Sequence, residues 1–226
     1  MSDLSATRRD LSFLRLIAIT DEINDGGNER DGGNAADRNS AWGELLARAA
    51  AAVRGGATCI QVRLKDAPPR EIVAVTKEMV TTLGVPIIVN DRADLALAAG
   101  AAGVHLGPAD LPVKAVRRIV PPEFVIGASF GDASEFENAR HADYAGIGPI
   151  WVTSSKADAG PAIGIAGFRK LAARLDIPAI AVGGINAALA RDLVAAGAYG
   201  IAVMSAIFGV SDPERAASEL LSAIET

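Results

Sequence analysis

Three observations predict an α/β fold of the (β/α)8 class, a TIM barrel closed as one domain over residues 1–226. Eight short apolar runs alternate with Ala-rich amphipathic stretches, as parallel strands joined by crossover helices do. Seven of those runs are followed at once by a polar cluster, and the end of a barrel beyond its strands is where active sites are built. The 226 residues are half apolar, which suits one large core of this size.

The strands are expected at 14–20, 58–62, 86–89, 103–105, 124–128, 144–147, 179–182 and 200–203. Helices are expected near 41–54, 69–83, 93–100, 111–118, 133–140, 165–175, 187–196 and 213–225. Ser40 is placed to cap the first helix, and Gly55-Gly56 to end it. Asn186 suits the cap of the seventh, and Asp212-Pro213 opens the last with a cap followed by a proline. Ser205-Ala206-Ile207-Phe208 is read as a short extra helix after the eighth strand. An open doubly wound sheet is the alternative, but its nucleotide-binding form wants G-x-G-x-x-G after the first strand, where Thr20-Asp21-Glu22-Ile23 stands.

One segment departs from compact design. Residues 24–40 hold the tetrapeptide Asp-Gly-Gly-Asn twice and nothing apolar larger than Ala. Such a segment cannot bury itself, so a solvated, mobile insertion in the first βα loop is expected, with a ligand-ordered lid as the sharper reading. Arg8-Arg9 faintly suggests an export signal, but Arg15, Asp21 and Glu22 interrupt the apolar stretch, which reads better as a strand. No apolar run reaches the ~20 residues of a membrane helix. The net charge is −5 without a long basic run, which argues against nucleic acid as a partner. The single cysteine, Cys59, lies in an apolar run, so a reducing, cytoplasmic setting is expected. A homo-oligomer is left open.

The clusters themselves suggest chemistry. In the run Gln61-Val62-Arg63-Leu64-Lys65, side chains two apart share a face, so Gln61, Arg63 and Lys65 would line one wall while Ile60, Val62 and Leu64 face the helices. Two cations and an amide suit a diphosphate. Asp91 and Asp110 follow neighbouring strands, and two carboxylates beside phosphate suggest Mg2+, although Asp110 could equally cap the next helix. Lys156 adds a further cation, and Ser129 and Thr153-Ser154-Ser155 add hydroxyls. Gly183-Gly184 and Met204-Ser205 follow the seventh and eighth strands, where barrels of this class often bind a phosphate. The small-molecule partners are therefore phosphorylated. Two phosphate sites in one mouth fit an enzyme that joins two phosphorylated substrates with loss of pyrophosphate.

The segments that carry this pattern are Gln61-Val62-Arg63-Leu64-Lys65, Asn90-Asp91-Arg92, Gly103-Val104-His105-Leu106-Gly107, Ala142-Asp143-Tyr144, Gly148-Pro149, Thr153-Ser154-Ser155-Lys156 and Ala181-Val182-Gly183-Gly184-Ile185. In this order they resemble the thiamine-phosphate synthase family. The resemblance implies a (β/α)8 barrel that condenses hydroxymethylpyrimidine diphosphate with a thiazole phosphate, giving thiamine phosphate and pyrophosphate. It implies that Gln61, Arg63, Lys65, Asn90, Ser129 and Lys156 contact the pyrimidine diphosphate, with the whole 61–65 run, Val62 and Leu64 included, as the binding segment. It implies Mg2+ on Asp91 and Asp110, and thiazole phosphate against Thr153, Ser154, Ser155, Gly184, Met204 and Ser205. Arg63, Lys65, Lys156 and Ser129 are the expected catalytic residues.

Some positions depart from the family's pattern. Phe130-Gly131 stands for the usual Thr-His, Pro108-Ala109 begins where Gln is usual, and Trp151-Val152 replaces an aromatic-proline pair. Changes at 108 and 130 are expected to alter the pyrimidine pocket. The rivals are a related thiazole tautomerase, which uses a histidine at the place of Gly131, and a non-catalytic paralogue that binds thiazole or thiamine phosphates. A phosphosugar isomerase on the same fold would need an acid/base pair for enolisation. The chain has two histidines: His105 lies in a motif that synthase and tautomerase share, and His141 closes a predicted helix with a solvated or capping role.

Overall fold

The computed structural model describes residues 10–20, 35–152 and 160–225. Eight parallel strands close into a barrel in chain order, the first pairing with the eighth. They are β1 (Leu16–Ile19), β2 (Cys59–Val62), β3 (Ile87–Asn90), β4 (Gly103–Leu106), β5 (Val125–Ser129), β6 (Tyr144–Ile147), β7 (Ala179–Val182) and β8 (Gly200–Val203). The helices are α1 (Ala35–Arg54), α2 (Pro69–Thr82), α3 (Ala93–Ala99), α4 (Val113–Arg117), α5 (Phe136–Ala139), α6 (Gly164–Ala172), α7 (Ala187–Ala195), α8 (Ser205–Phe208) and α9 (Pro213–Glu225).

The strands bury residues on both faces. Outward residues such as Ile60, Val89, Leu106, Ile147, Ala181 and Ile201 join the helices in the larger core. Inward residues Ile17, Cys59, Ile88, Val125, Tyr144, Ile180 and Ala202 fill the barrel. Parallel strands covered by helices must be apolar on both sides, which is why each reads as a continuous apolar run.

Local signals place several helix ends. Asn186 Oδ1 accepts from the Leu189 amide at 3.0 Å, and Asp212 Oδ1 from the Arg215 amide at 3.0 Å, so both expected caps form. Gly56 takes φ +103 just past α1, a conformation that glycine adopts without strain. The start of α1 differs from expectation. The helix begins at Ala35, so Ser40 lies inside it and does not cap it, and residues 35–40 belong to the helix rather than to the loop. Those six residues contain neither glycine nor proline, so nothing in them stops the helix from extending backwards. The rest of the 24–40 segment, 24–34, lies outside the described residues. Among the described residues no helix is long and apolar enough to cross a membrane.

Candidate active site

A cavity of about 710 Å³ opens at the carboxyl ends of the strands. Its floor is the inward layer of Ile17, Ile19, Ile180, Val182 and Ala202, and its rim carries polar side chains from the loops that follow. The structure gathers ten of the predicted residues there: Gln61, Arg63, Lys65, Asn90, Asp91, Asp110, Ser129, Gly184, Met204 and Ser205.

The β2 wall is fixed from below. Thr20, at the end of β1, donates its amide to the Gln61 carbonyl at 2.9 Å. Its hydroxyl accepts from the Arg63 amide at 2.8 Å and donates to the Arg63 carbonyl at 3.2 Å. These bonds carry the extended backbone past β2 and keep the alternation running, so Gln61, Arg63 and Lys65 face the cavity. Gln61 is buried, and its Nε2 donates to Asn90 Oδ1 at 2.8 Å, which joins the ends of β2 and β3. Val62 and Leu64 are corrected by the same alternation. Both are buried in the layer between strands and helices, and neither side chain lines the cavity.

Asp91 occupies a strained turn. Its φ is +63, and the Arg92 amide donates to the Asn90 carbonyl across it at 2.7 Å, the rare γ-turn with positive φ. The Asp91 amide donates to the His105 carbonyl at 2.8 Å, which holds the turn against β4. Asp110 does not cap α4, whose N-terminal flank is Pro112 without a side-chain bond. Instead Asp110 Oδ2 accepts from the Gly107 amide at 2.6 Å, and the carboxylate meets that of Asp91. Burial, then the hydrogen bond and charge of Asp110, push the Asp91 carboxyl up to about 6, against the opposing pull of Lys65 and Arg63. Two carboxylates held together in a partly buried place attract a proton or a cation. Among the described residues no third His, Cys, Asp or Glu joins them. A pair of this kind suits Mg2+, which takes one or two carboxylates and completes its shell with water and phosphate oxygens.

On the far side, Gly183 and Gly184 have φ +93 and +67. A Cβ on Gly184 would lie 2.7 Å from Trp151 Cβ and 2.9 Å from the Trp151 carbonyl, so the pair lets the loop after β6 press against the end of β7. α8 follows at Ser205, as the sequence suggests.

Several wall residues were not anticipated. Tyr144 points inward from β6 and bonds His105, which in turn meets Ser129. Glu135 lines the rim and accepts from the Gly131 amide at 2.5 Å. The signal for Tyr144 was present: it is the large residue in Tyr-Ala-Gly-Ile, and it faces Gly127 on β5. The departures from the family's pattern also find their places. Phe130 is fully buried and packs outward against Phe136, with the Arg174 guanidinium 5.7 Å from its ring centre, so it does not shape the cavity. Gly131, Pro108 and Ala109 do line it. His141 does not reach it: its Nε2 lies 3.9 Å from Glu137. Thr153, Ser154, Ser155 and Lys156 lie outside the described residues.

Comparison with known proteins agrees with this geometry. Residues 35–207 match the family model described as thiamine monophosphate synthase. The chain is 49% identical over 180 residues to the thiamine-phosphate synthase of Methanoculleus marisnigri, covering 77% of this chain and 84% of that one. It is 38% identical to that of Albidiferax ferrireducens, covering 95% and 94%. Among solved structures it superposes on a thiamine phosphate pyrophosphorylase from Pyrococcus furiosus with TM-score 0.76 and 34% identity, covering 95% and 96%. A 3-hexulose-6-phosphate synthase, at 19% identity and TM-score 0.64, shares the fold alone.

Proposed function

Since this chain belongs to the thiamine-phosphate synthase family, we propose that its cavity joins hydroxymethylpyrimidine diphosphate to a thiazole phosphate, releasing pyrophosphate. The observation that carries this reading is the division of the cavity wall. Arg63, Lys65, Asn90, Asp91 and Asp110 stand on the β2–β4 side, and Gly184, Met204 and Ser205 stand on the β7–β8 side. The first group suits a diphosphate and the second a monophosphate.

Arg63 and Lys65 neutralise the diphosphate as its C–O bond breaks, and Ser129 donates to it. Gln61 and Asn90, locked to each other, hold the pyrimidine end in one orientation. The electron-rich aminopyrimidine stabilises the methylene cation that remains, and the thiazole nitrogen attacks that carbon. No strong base is required for bond formation, so positioning and electrostatics carry the catalysis. Asp91 and Asp110 would hold Mg2+, which would supply further charge neutralisation at the diphosphate. Lys156, by resemblance, adds another cation to the leaving group. The apolar floor of Ile17, Ile19 and Ile180 excludes water from below. No observation favours the tautomerase, since the wall carries Gly131 where that activity uses histidine.

The test is pyrophosphate release by purified protein supplied with both substrates and Mg2+, with and without chelator, together with detection of thiamine phosphate. Release that needs both substrates and the metal is expected. Ligand binding without release would assign the chain to non-catalytic binding instead.

A further inference from the structure

We propose that His105, oriented by Tyr144, is a positioning residue that commits the Ser129 hydroxyl to donate into the cavity. The inference deepens the synthase reading above and rests on it. His105 Nδ1 lies 3.1 Å from the Tyr144 hydroxyl, and His105 Nε2 lies 3.3 Å from Ser129 Oγ. The three side chains form a relay from the barrel interior to the cavity wall.

The direction of the relay follows from burial. Tyr144 is 1% exposed, and among the described residues His105 is the hydrogen-bond partner of its hydroxyl. A buried O–H without an acceptor is costly, so the phenol donates to Nδ1. Burial also pushes the Tyr144 pKa well up, which keeps it a phenol and hence a donor. With Nδ1 accepting, the neutral ring carries its proton on Nε2 and donates it to Ser129 Oγ. A hydroxyl has a single proton. With its oxygen accepting from the imidazole, Ser129 directs that proton elsewhere, and its side chain borders the cavity. The opposite tautomer would turn the serine proton back onto the histidine and spend it there.

The surroundings are shaped for this pair. A Cβ on Gly127 would sit 2.1 Å from Tyr144 Cζ, and one on Gly146 would sit 2.9 Å from His105 Cε1. Two glycines on adjacent strands thus clear the volume that the rings occupy, 5.6 Å apart between centroids. A polar pair placed inside a barrel at the expense of two side chains is a built feature rather than residual packing.

The chain has two histidines, so ring 15N NMR of the full-length protein is tractable, with His141→Gln supplying the assignment. The expected result is a neutral His105 protonated on Nε2 in the wild type, and a mixture of tautomers in Tyr144→Phe. In kinetics, Tyr144→Phe should lower kcat about tenfold with little change in KM for the thiazole phosphate, the scale of a hydrogen bond to a charged group. In a Ser129→Ala background the same change should alter kcat by less than about twofold, because the two act as one unit. His105→Gln, whose amide can still donate, should retain more kcat than His105→Leu. A wild-type ring protonated on Nδ1 overturns the proposal without any variant. Equal Tyr144→Phe factors in both backgrounds also overturn it, since that is the behaviour of a packing residue. A wild type that makes no thiamine phosphate overturns the synthase reading. An intact Nε2–H tautomer in such a protein would show that the reading failed rather than the relay.

Discussion

Gly184→Ala is the sharpest single test of how the cavity wall is built. Gly184 has φ +67, where an L-residue costs about 1–2 kcal/mol. Its new Cβ would also lie 2.7 Å from Trp151 Cβ and 2.9 Å from the Trp151 carbonyl carbon and oxygen. Those atoms must move, and overpacking of this kind costs about 1–3 kcal/mol. The expected destabilisation is therefore about 2–5 kcal/mol, a fall in Tm of about 4–20 °C for a domain of this size. Gly100→Ala is the control. Its φ is +72, nearly the same, but nothing lies within 4 Å of a Cβ there, so strain alone should cost about 1–2 kcal/mol. Urea or thermal unfolding by circular dichroism measures both. The Gly184 variant should in addition raise KM for the thiazole phosphate, because its wall has shifted, whereas the Gly100 variant should not. Equal losses of stability in the two variants would refute the argument that backbone approach, rather than φ alone, requires glycine at 184.

Three further outcomes follow from the site. Leu64→Ala should cost about 2–5 kcal/mol in unfolding experiments and leave both KM values nearly unchanged, because this side chain packs under the helices; a large KM effect at preserved stability would restore it to the binding wall. The raised Asp91 carboxyl favours the metal-free fold below the usual carboxylate range, and this contribution is lost as pH rises through about 6. Added Mg2+ should therefore raise Tm above pH 7, lose that effect as the pH falls below about 6, and do nothing in Asp91→Asn; an Mg2+ effect that is constant from pH 5 to 8 would count against the carboxylate pair as its ligand. Lys156→Ala should lower kcat sharply while Tm stays within a few degrees of the wild type; unchanged kinetics would remove Lys156 from the mechanism.

Much of the fold was legible because a closed parallel barrel writes itself as repeated apolar runs. Three strands, Tyr144–Ile147, Ala179–Val182 and Gly200–Val203, fall where the runs do. The others shift by one or two residues at their ends, where the apolar run and the ladder part company. What hydropathy cannot show is which side of such a strand faces inward, since Ala and Ile suit both faces. For that reason Tyr144, though part of the Ala142-Asp143-Tyr144 segment, carries no assigned role, and Phe130 points away from the pocket it is expected to alter. Past the strand ends alternation becomes readable again, because one face turns polar. Gln61, Arg63 and Lys65 are placed that way, and the same alternation turns Val62 and Leu64 to the helices, against their inclusion in the binding segment. The early start of α1 was hidden by polar composition: Asp37, Arg38 and Asn39 look like loop but permit helix.

The split between the β2–β4 wall and the β7–β8 wall has an engineering consequence. Under the proposed assignment the leaving-group half and the acceptor half belong to separate arcs of the ring, with β1 between them on one side and β5–β6 on the other. Exchange of the segment from β7 through α8 with that of another family member should change which acceptor is used and leave the handling of the diphosphate alone. Barrel chimeras cut at these two seams would turn the specificity of one half into a replaceable part.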